Sequence, residues 1–299
     1  MEFQIRTPGS TANLGPGFDA LGLALSIYNH VTIITQSTPG LEITVQGEGK
    51  DLLTTDETNL FYQAAQFTAQ KIGKPLPGLS VALQNGVPLA RGLGSSSTAI
   101  VAGVIAANHI LDQPFSQQDQ LNIATEIEGH PDNVSPCLLG GLTMSALDGK
   151  QVACVRALPP DTLQSVVAIP EFELKTSEAR QALPQEISLH DAVFSISRAC
   201  LVTAALMSGD LAQLKIGMQD CLHQPYRAHL IPNFHEAIDA ALQAGSLGAA
   251  LSGAGPTLMA FATQNADAIG QAMVDVWQKN EIEATYHVLN IDTDGAVIL

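Results

Sequence analysis

Positive charge is scarce: 13 Lys and Arg stand against 29 Asp and Glu, a formal net charge of −16 at pH 7. Such a surface repels phosphate backbones and anionic lipid, so neither nucleic acid nor a membrane is an expected partner. The same scarcity makes any basic residue inside a candidate site informative. Cysteine is sparse too. Cys137, Cys154, Cys200 and Cys221 form no CxxC pair, which removes zinc-ligand spacing, and their apolar surroundings predict buried free thiols. The longest apolar run, AIVAGVIAA at 99–107, is about half the ~18–20 residues a membrane span needs. The opening MEFQIRTPGS lacks the basic-then-apolar pattern of a secretory leader. A reducing cytoplasm is the expected location. Fixed-period repeats and low-complexity tracts are absent as well.

What is present describes an ordered globular chain. Of 299 residues 46% are hydrophobic and 14% charged, enough for a generous core and two joined domains. Residues 24–36 and 40–47 have strand character, and 57–73 is an amphipathic helix with Leu60, Ala64, Phe67 and Ile72 on one stripe and Gly73 as its stop. Helices are predicted over 96–111 and 116–127. A turn and the pair Pro159-Pro160 mark a junction between domains spanning 1–155 and 156–299. Beyond it come the strand SVVAIP, a long buried helix over 189–210 ended by Gly209, and a helix over 232–245. A strand–turn–strand unit, a helix over 265–279 and a strand over 284–291 follow. This order is α+β, without regular βαβα alternation.

The stretch VPLARGLGSSSTAIVAGVIAANHIL at 87–111 places Gly92, Gly94, Ser95, Ser96, Ser97 and Thr98 before a helix that is apolar all round. A helix N-terminus offers unpaired N–H groups and a partial positive charge. Glycines let the backbone approach an anion closely, and hydroxyls can bind phosphate oxygens or a hard cation. Phosphate binding and an ordinary serine-capped glycine turn both fit this window. No Lys follows Gly94, so the usual P-loop is excluded.

Three further polar clusters interrupt apolar chain. TANLGPGFDALGLAL (11–25) has Asn13 and Asp19 around a glycine turn. ATEIEGHPDNVSPCLLGG (124–141) carries Glu126, Glu128, His130, Asp132 and Asn133, and LSGAGPTLMAF (251–261) is a glycine turn between strands. Capped turns, a solvated helix end and a plain hairpin would also explain them one by one. Arg180 and Arg227 lie near prolines, and a guanidinium can hold a carboxylate by two parallel hydrogen bonds.

Taken together the motifs are familiar. PLARGLGSSSTA resembles the second signature of the small-molecule kinase superfamily named for galactokinase, homoserine kinase, mevalonate kinase and phosphomevalonate kinase (GHMP), and SGAGPT resembles its C-terminal signature. TANLGPGFDALGLAL, EIEGHPDNVSPCLLGG, TSEARQALP, HQPYRAHLIP and LSGAGPT, in order from residue 11 to 257, resemble the homoserine kinase family more narrowly. The resemblance implies a two-domain α+β architecture, an N-terminal ATP-binding domain and a C-terminal ferredoxin-like domain with the active site between them. It implies that Pro88, Arg91, Gly92, Leu93, Gly94, Ser95, Ser96, Ser97 and Thr98 wrap the phosphates of ATP. Ser96 and Glu128 would be Mg²⁺ ligands, Glu126 remaining an alternative to Glu128, and Asn59 would lie near adenine. Asn13, Asp19, His130, Asp132, Asn133, Arg180 and Arg227 would surround the amino-acid substrate, with Gly253 and Gly255 in the closing turn. Ser97-Thr98 depart from the alanines that often follow the serine pair.

The implied reaction is ATP + L-homoserine giving ADP + O-phospho-L-homoserine, a step toward threonine. Homoserine is a zwitterion with a primary hydroxyl. Asp19 with Asn13 suits its ammonium, Arg227 and Arg180 suit its carboxylate or the transferring phosphoryl group, and Asn133 suits the hydroxyl. Asp132 is a base by chemistry and Asn133 cannot be one. Because positioning and charge neutralisation dominate phosphoryl transfer, the preferred route passes the proton to the γ-phosphate. A homodimer is compatible with the family.

Overall fold

The computed structural model describes all 299 residues. Alternating apolar residues build β1 (Glu2–Ala12), which pairs antiparallel with the long β2 (Leu21–Gln36). After β3 (Leu41–Gly47) comes α1 (Leu60–Ile72), capped by Asn59 and stopped by Gly73 in the left-handed region, then β4 (Gly78–Asn85). Next are α2 (Ser95–Ile110), α3 (Gln117–Glu128), α4 (Pro131–Leu139) and the hairpin β5 (Leu142–Asp148)–β6 (Gln151–Ala157). As predicted, α2 is buried on nearly every side. It lies close against α1 because Gly103 faces the backbone there; a Cβ at 103 would collide with the Phe61 carbonyl.

The second sheet begins with β7 (Gln164–Pro170). The chain continues through α5 (Thr176–Gln181), α6 (Leu189–Ser208), α7 (Leu214–Gly217), α8 (Gln224–Arg227) and α9 (Phe234–Gln243). It closes with β8 (Gly248–Leu251), β9 (Leu258–Ala262), α10 (Ala266–Gln278), β10 (Ala284–Asn290) and β11 (Val297–Ile298). The second sheet runs β10-β7-β9-β8, entirely antiparallel. That is the 4-1-3-2 order of a βαββαβ unit, the ferredoxin-like arrangement the resemblance implies. The first sheet runs β11-β1-β2-β4-β3, with β5 on β2 and β6 on β5. β6 thus carries the first sheet to Ala157, and β11 brings the chain's last strand back to β1. One apolar cluster joins the two sheets: Leu23, Leu25, Val87 and Leu93 pack with Val167, Met259 and Phe261. The cleft at the edge of this shared core therefore has walls from both halves.

Two expectations are corrected. The helix predicted over 189–210 forms, between the Ser188 cap and Gly209, but it is not buried. It seats Ser195, Val202, Ala205 and Leu206, while Leu189, Val193, Ile196 and Met207 stay 81%, 58%, 62% and 52% exposed. Apolar composition says that a stripe favours burial; it does not supply the surface that covers it. Likewise all four cysteines are free, yet only Cys137 is buried. Cys154 and Cys221 are partly covered and Cys200 lies open on α6.

Candidate active site

Between β4 and α2 the chain forms a loop whose shape depends on glycine. Gly92 (φ +76°) and Gly94 (φ +70°) are both left-handed. A Cβ on Gly92 would strike the Ser252 carbonyl, and one on Gly94 would strike Ser10 Oγ. The loop is tied down from both halves: Ser10 N–H donates to Leu93 O (3.0 Å) and Ser252 Oγ to Gly92 O (2.6 Å). No side chain caps α2, so its first turn turns backbone N–H groups and the Ser95 and Ser96 hydroxyls toward the cleft.

Opposite that turn stands Glu128, the last residue of α3. Ser96 Oγ (2.7 Å) and Ser97 Oγ (3.2 Å) both donate to its Oε1. Glu126 is elsewhere, paired with Lys71 Nζ at 2.8 Å and Lys150 Nζ at 3.7 Å. Residues two apart on a helix point to opposite sides, so only Glu128 reaches the loop. After Gly129 the chain turns into α4, which the sequence reading left unassigned, with Pro131 at its start. Its first turn presents Asp132 and Asn133, both buried. His130 Nδ1 meets Asp132 Oδ1 at 2.5 Å. Burial pulls the His130 pKa down, but the hydrogen bond and charge of Asp132, helped by Glu128, outweigh it and hold it above the ordinary 6.5.

The turn after β1 brings Asn13 and Asp19 to the same cleft, both with positive φ. Asn13 Nδ2 donates to Gly253 O (2.9 Å) and its Oδ1 accepts Asp19 N–H (3.0 Å). Its amide therefore holds the turn while still lining the cavity. Asp19 takes two hydrogen bonds from Arg180, at 2.8 and 3.0 Å, and these push the Arg180 pKa further up. Arg227, only 2% exposed, donates through Nε to Ala179 O (3.0 Å). Burial, then the neighbouring Arg180, lower its pKa to about 10, so it stays cationic at neutral pH. Both guanidiniums lie over the Phe18 ring, at 5.6 Å for Arg180 and 5.2 Å for Arg227. Asp19, His130 and Asp132 bring one oxygen or nitrogen each within 4.8 Å of one another, an acidic corner.

These groups line one cavity of about 460 Å³. Four of the chain's 13 Lys and Arg are here: Arg91, Lys175, Arg180 and Arg227. In a chain of net charge −16 that concentration marks an anion site. Of the residues expected in the site, Pro88, Leu93, Ser97 and Gly255 do not line the cavity. Leu93 is core, and Ser97 acts on Glu128. Thr98 lines the cavity, but its hydroxyl already bonds Ser95 O and Asn29 Nδ2, each at 2.7 Å. Asn59 lines it too, while capping α1 and donating to Thr54 O (2.6 Å).

Several lining residues escaped the sequence reading. Val31, Leu53, Leu60, Leu83, Leu89 and Ala99 make an apolar end to the cavity, with Asn29 and Asn85 beside them. Apolar residues from separate strands, helices and loops carry no local signal of a shared pocket. His223 lies within one of the motifs and Ser10 directly before another, and neither carries a local signal of its own.

Two stretches match family descriptions: residues 59–141 match the GHMP kinases N terminal domain and residues 202–279 the GHMP kinases C terminal domain. A homoserine kinase of Moorella thermoacetica is 43% identical over 99% of both chains. One of Carboxydothermus hydrogenoformans is 45% identical over 98% of this chain and 95% of its own. A crystal structure of homoserine kinase from Cytophaga hutchinsonii superposes with a TM-score of 0.91 at 31% identity, covering 100% of this chain and 97% of that one. With the glycine loop, the acidic corner and the paired arginines set around one cleft, and with likeness running the length of the chain, this protein belongs to the homoserine kinase family of GHMP kinases.

Proposed function

We propose that the chain transfers the γ-phosphoryl group of ATP to the side-chain hydroxyl of L-homoserine, giving ADP and O-phospho-L-homoserine. One observation carries the reading: beside a glycine loop at a helix N-terminus, one cleft brings together an acidic corner (Asp19, Asp132) and a buried cation, Arg227. That layout suits a zwitterion that bears an alcohol. The apolar end, with the buried Asn59 also lining the cavity, would take adenine. Gly92, Gly94, Ser95 and the first turn of α2 would hold the phosphates.

Ser96 and Glu128 would hold Mg²⁺: a hydroxyl and a carboxylate oxygen 2.7 Å apart are the oxygen donors this ion prefers. When bound, the ion neutralises negative charge on the phosphates. In the proposed mechanism Asp19 binds the substrate ammonium and Arg227, with Arg180, its carboxylate. Asn133 donates to the hydroxyl oxygen and aims it at γ-phosphorus. The oxygen–phosphorus bond forms as the bridge to ADP breaks, and the hydroxyl proton passes to a γ-phosphate oxygen. Asp132 is 2% exposed and its Oδ1 is held by His130, so in this reading it orients His130 rather than taking the proton.

The remaining assignments belong to the same proposal: two domains whose junction, expected at 155/156, falls after the end of β6 at Ala157, with β11 returning to the first; a cytoplasmic location; and a homodimer, for which the open apolar stripe of α6 leaves room. An ADP-release assay with homoserine, mevalonate, galactose and shikimate in parallel tests the reaction. Turnover confined to homoserine is expected; a preference for any other acceptor sinks it.

A further inference from the structure

His223 is wholly buried, and the proposed chemistry leaves it no role, yet it touches both parts of the amino-acid end of the cleft. Its Nε2 lies 2.7 Å from the carbonyl oxygen of Gly15, in the turn that carries Asn13 and Asp19. Its Nδ1 lies 3.3 Å from Arg227 Nη1. A carbonyl oxygen can only accept and a guanidinium can only donate. Both contacts are hydrogen bonds in one protonation state alone: neutral imidazole, with hydrogen on Nε2 and a lone pair on Nδ1.

The surroundings favour that state. The charged groups facing the ring are Asp220, Arg227 and Asp19; burial, with Arg227, lowers the His223 pKa against the pull of the two carboxylates. Asp220, 3.5 Å from Nε2, is also fully buried. Its carboxylate accepts the backbone N–H groups of Leu222, His223 and Gln224 at 2.7, 2.9 and 2.8 Å, which draws its charge away from the ring. Gly15 has φ +87°, and a Cβ there would collide with the Met218 carbonyl, so the turn sits directly on the segment that carries His223.

Arg227 gains most from this arrangement. Its hydrogen-bond acceptors are the carbonyls of Ala179 and Gly253 and the lone pair of His223, all neutral. Its charge is therefore oriented with no carboxylate bonded to it, while Asp19, Asp220 and Asp132 act on it only through space. Arg180, by contrast, is paired with Asp19.

We propose that His223 is a positioning residue for the amino-acid acceptor, fixed as the Nε2–H tautomer so that it anchors the Gly15 turn and aims Arg227, which has no bonded carboxylate, at the substrate carboxylate. The inference rests on the acceptor proposed above. Its test joins ¹⁵N-histidine NMR of the full-length protein to kinetics of the wild type, His223→Leu and His223→Gln. A neutral Nε2–H ring near pH 7.5 is expected. His223→Leu should raise the homoserine KM about tenfold or more, the scale of a lost hydrogen bond to a charged group, with the ATP KM within about twofold. His223→Gln keeps one donor and one acceptor and should stay within about threefold of wild type.

A cationic or Nδ1–H ring overturns the proposal, as does a folded leucine variant with unchanged homoserine KM, or one in which both KM values rise together. Should the leucine variant fail to fold, the glutamine variant decides: a homoserine KM raised about tenfold there also overturns it. A wild type inert toward homoserine overturns the acceptor reading and this inference with it, and is told apart because the unmodified enzyme is then silent.

Discussion

Ser10 Oγ donates to Asn133 Oδ1 at 2.9 Å, joining β1 to the first turn of α4. The bond sets the Asn133 amide so that Nδ2 points along the cleft toward Asp132 Oδ1, 3.3 Å away. Nδ2 keeps a second hydrogen for the acceptor hydroxyl. Ser10→Ala releases the amide. A typical hydrogen bond contributes about 0.5–1.5 kcal/mol, so kcat with homoserine should fall roughly 2- to 10-fold. Steady-state kinetics should show an unchanged ATP KM; an unchanged kcat would mean that Asn133 needs no such support.

The phosphate loop gives a sharper test. Gly94→Ala places a Cβ on Ser10 Oγ at φ +70°. Left-handed strain of about 1–2 kcal/mol is expected for the backbone alone. The melting temperature should drop and the ATP KM rise, since the loop must shift to relieve the clash. Calorimetry with a nonhydrolysable nucleotide would detect the change, and wild-type affinity would contradict the assigned loop.

Asp132→Asn asks whether a carboxylate base is used. With the proton passing to phosphate, kcat should stay within about tenfold of wild type, the loss reflecting a less firmly held His130. A fall of about 10²-fold or more at unchanged homoserine affinity, the range for a lost acid–base group, would assign the proton to Asp132 instead.

His130 should leave a mark on stability as a function of pH. Its folded pKa lies above 6.5, so between 6.5 and the raised value the native state binds more protons than the unfolded chain. Stability from this group is complete below 6.5 and is lost as pH rises through the folded value. The advantage of wild type over His130→Asn in urea melts should therefore be larger near about pH 6 than near about pH 9. An advantage that grows with pH would reverse the assignment.

Much of the candidate site is legible in the sequence because its chemistry is local. Gly92 and Gly94 ahead of an apolar helix, and His130, Asp132 and Asn133 packed into four residues, stand out as neighbours in the chain, and it is their combination that points to a site. Periodicity likewise placed most helices and the α+β order, since a repeat of 3.6 or 2 residues belongs to the chain itself. Ser10 and His223 were not readable: their partners Asn133 and Gly15 are 123 and 208 residues away.

By itself, then, the sequence determined the glycine loop ahead of the apolar helix, the candidate chemistry and the class of fold, all consequences of neighbouring residues. Only the tertiary structure decided that Glu128 rather than Glu126 meets the loop, that Arg227 is buried among neutral acceptors, and that α6 leaves an apolar stripe open. The physical reason is that helical phase gives the direction in which a side chain points. What it meets there is set by packing between distant segments, and the charge and burial of each group follow from that packing.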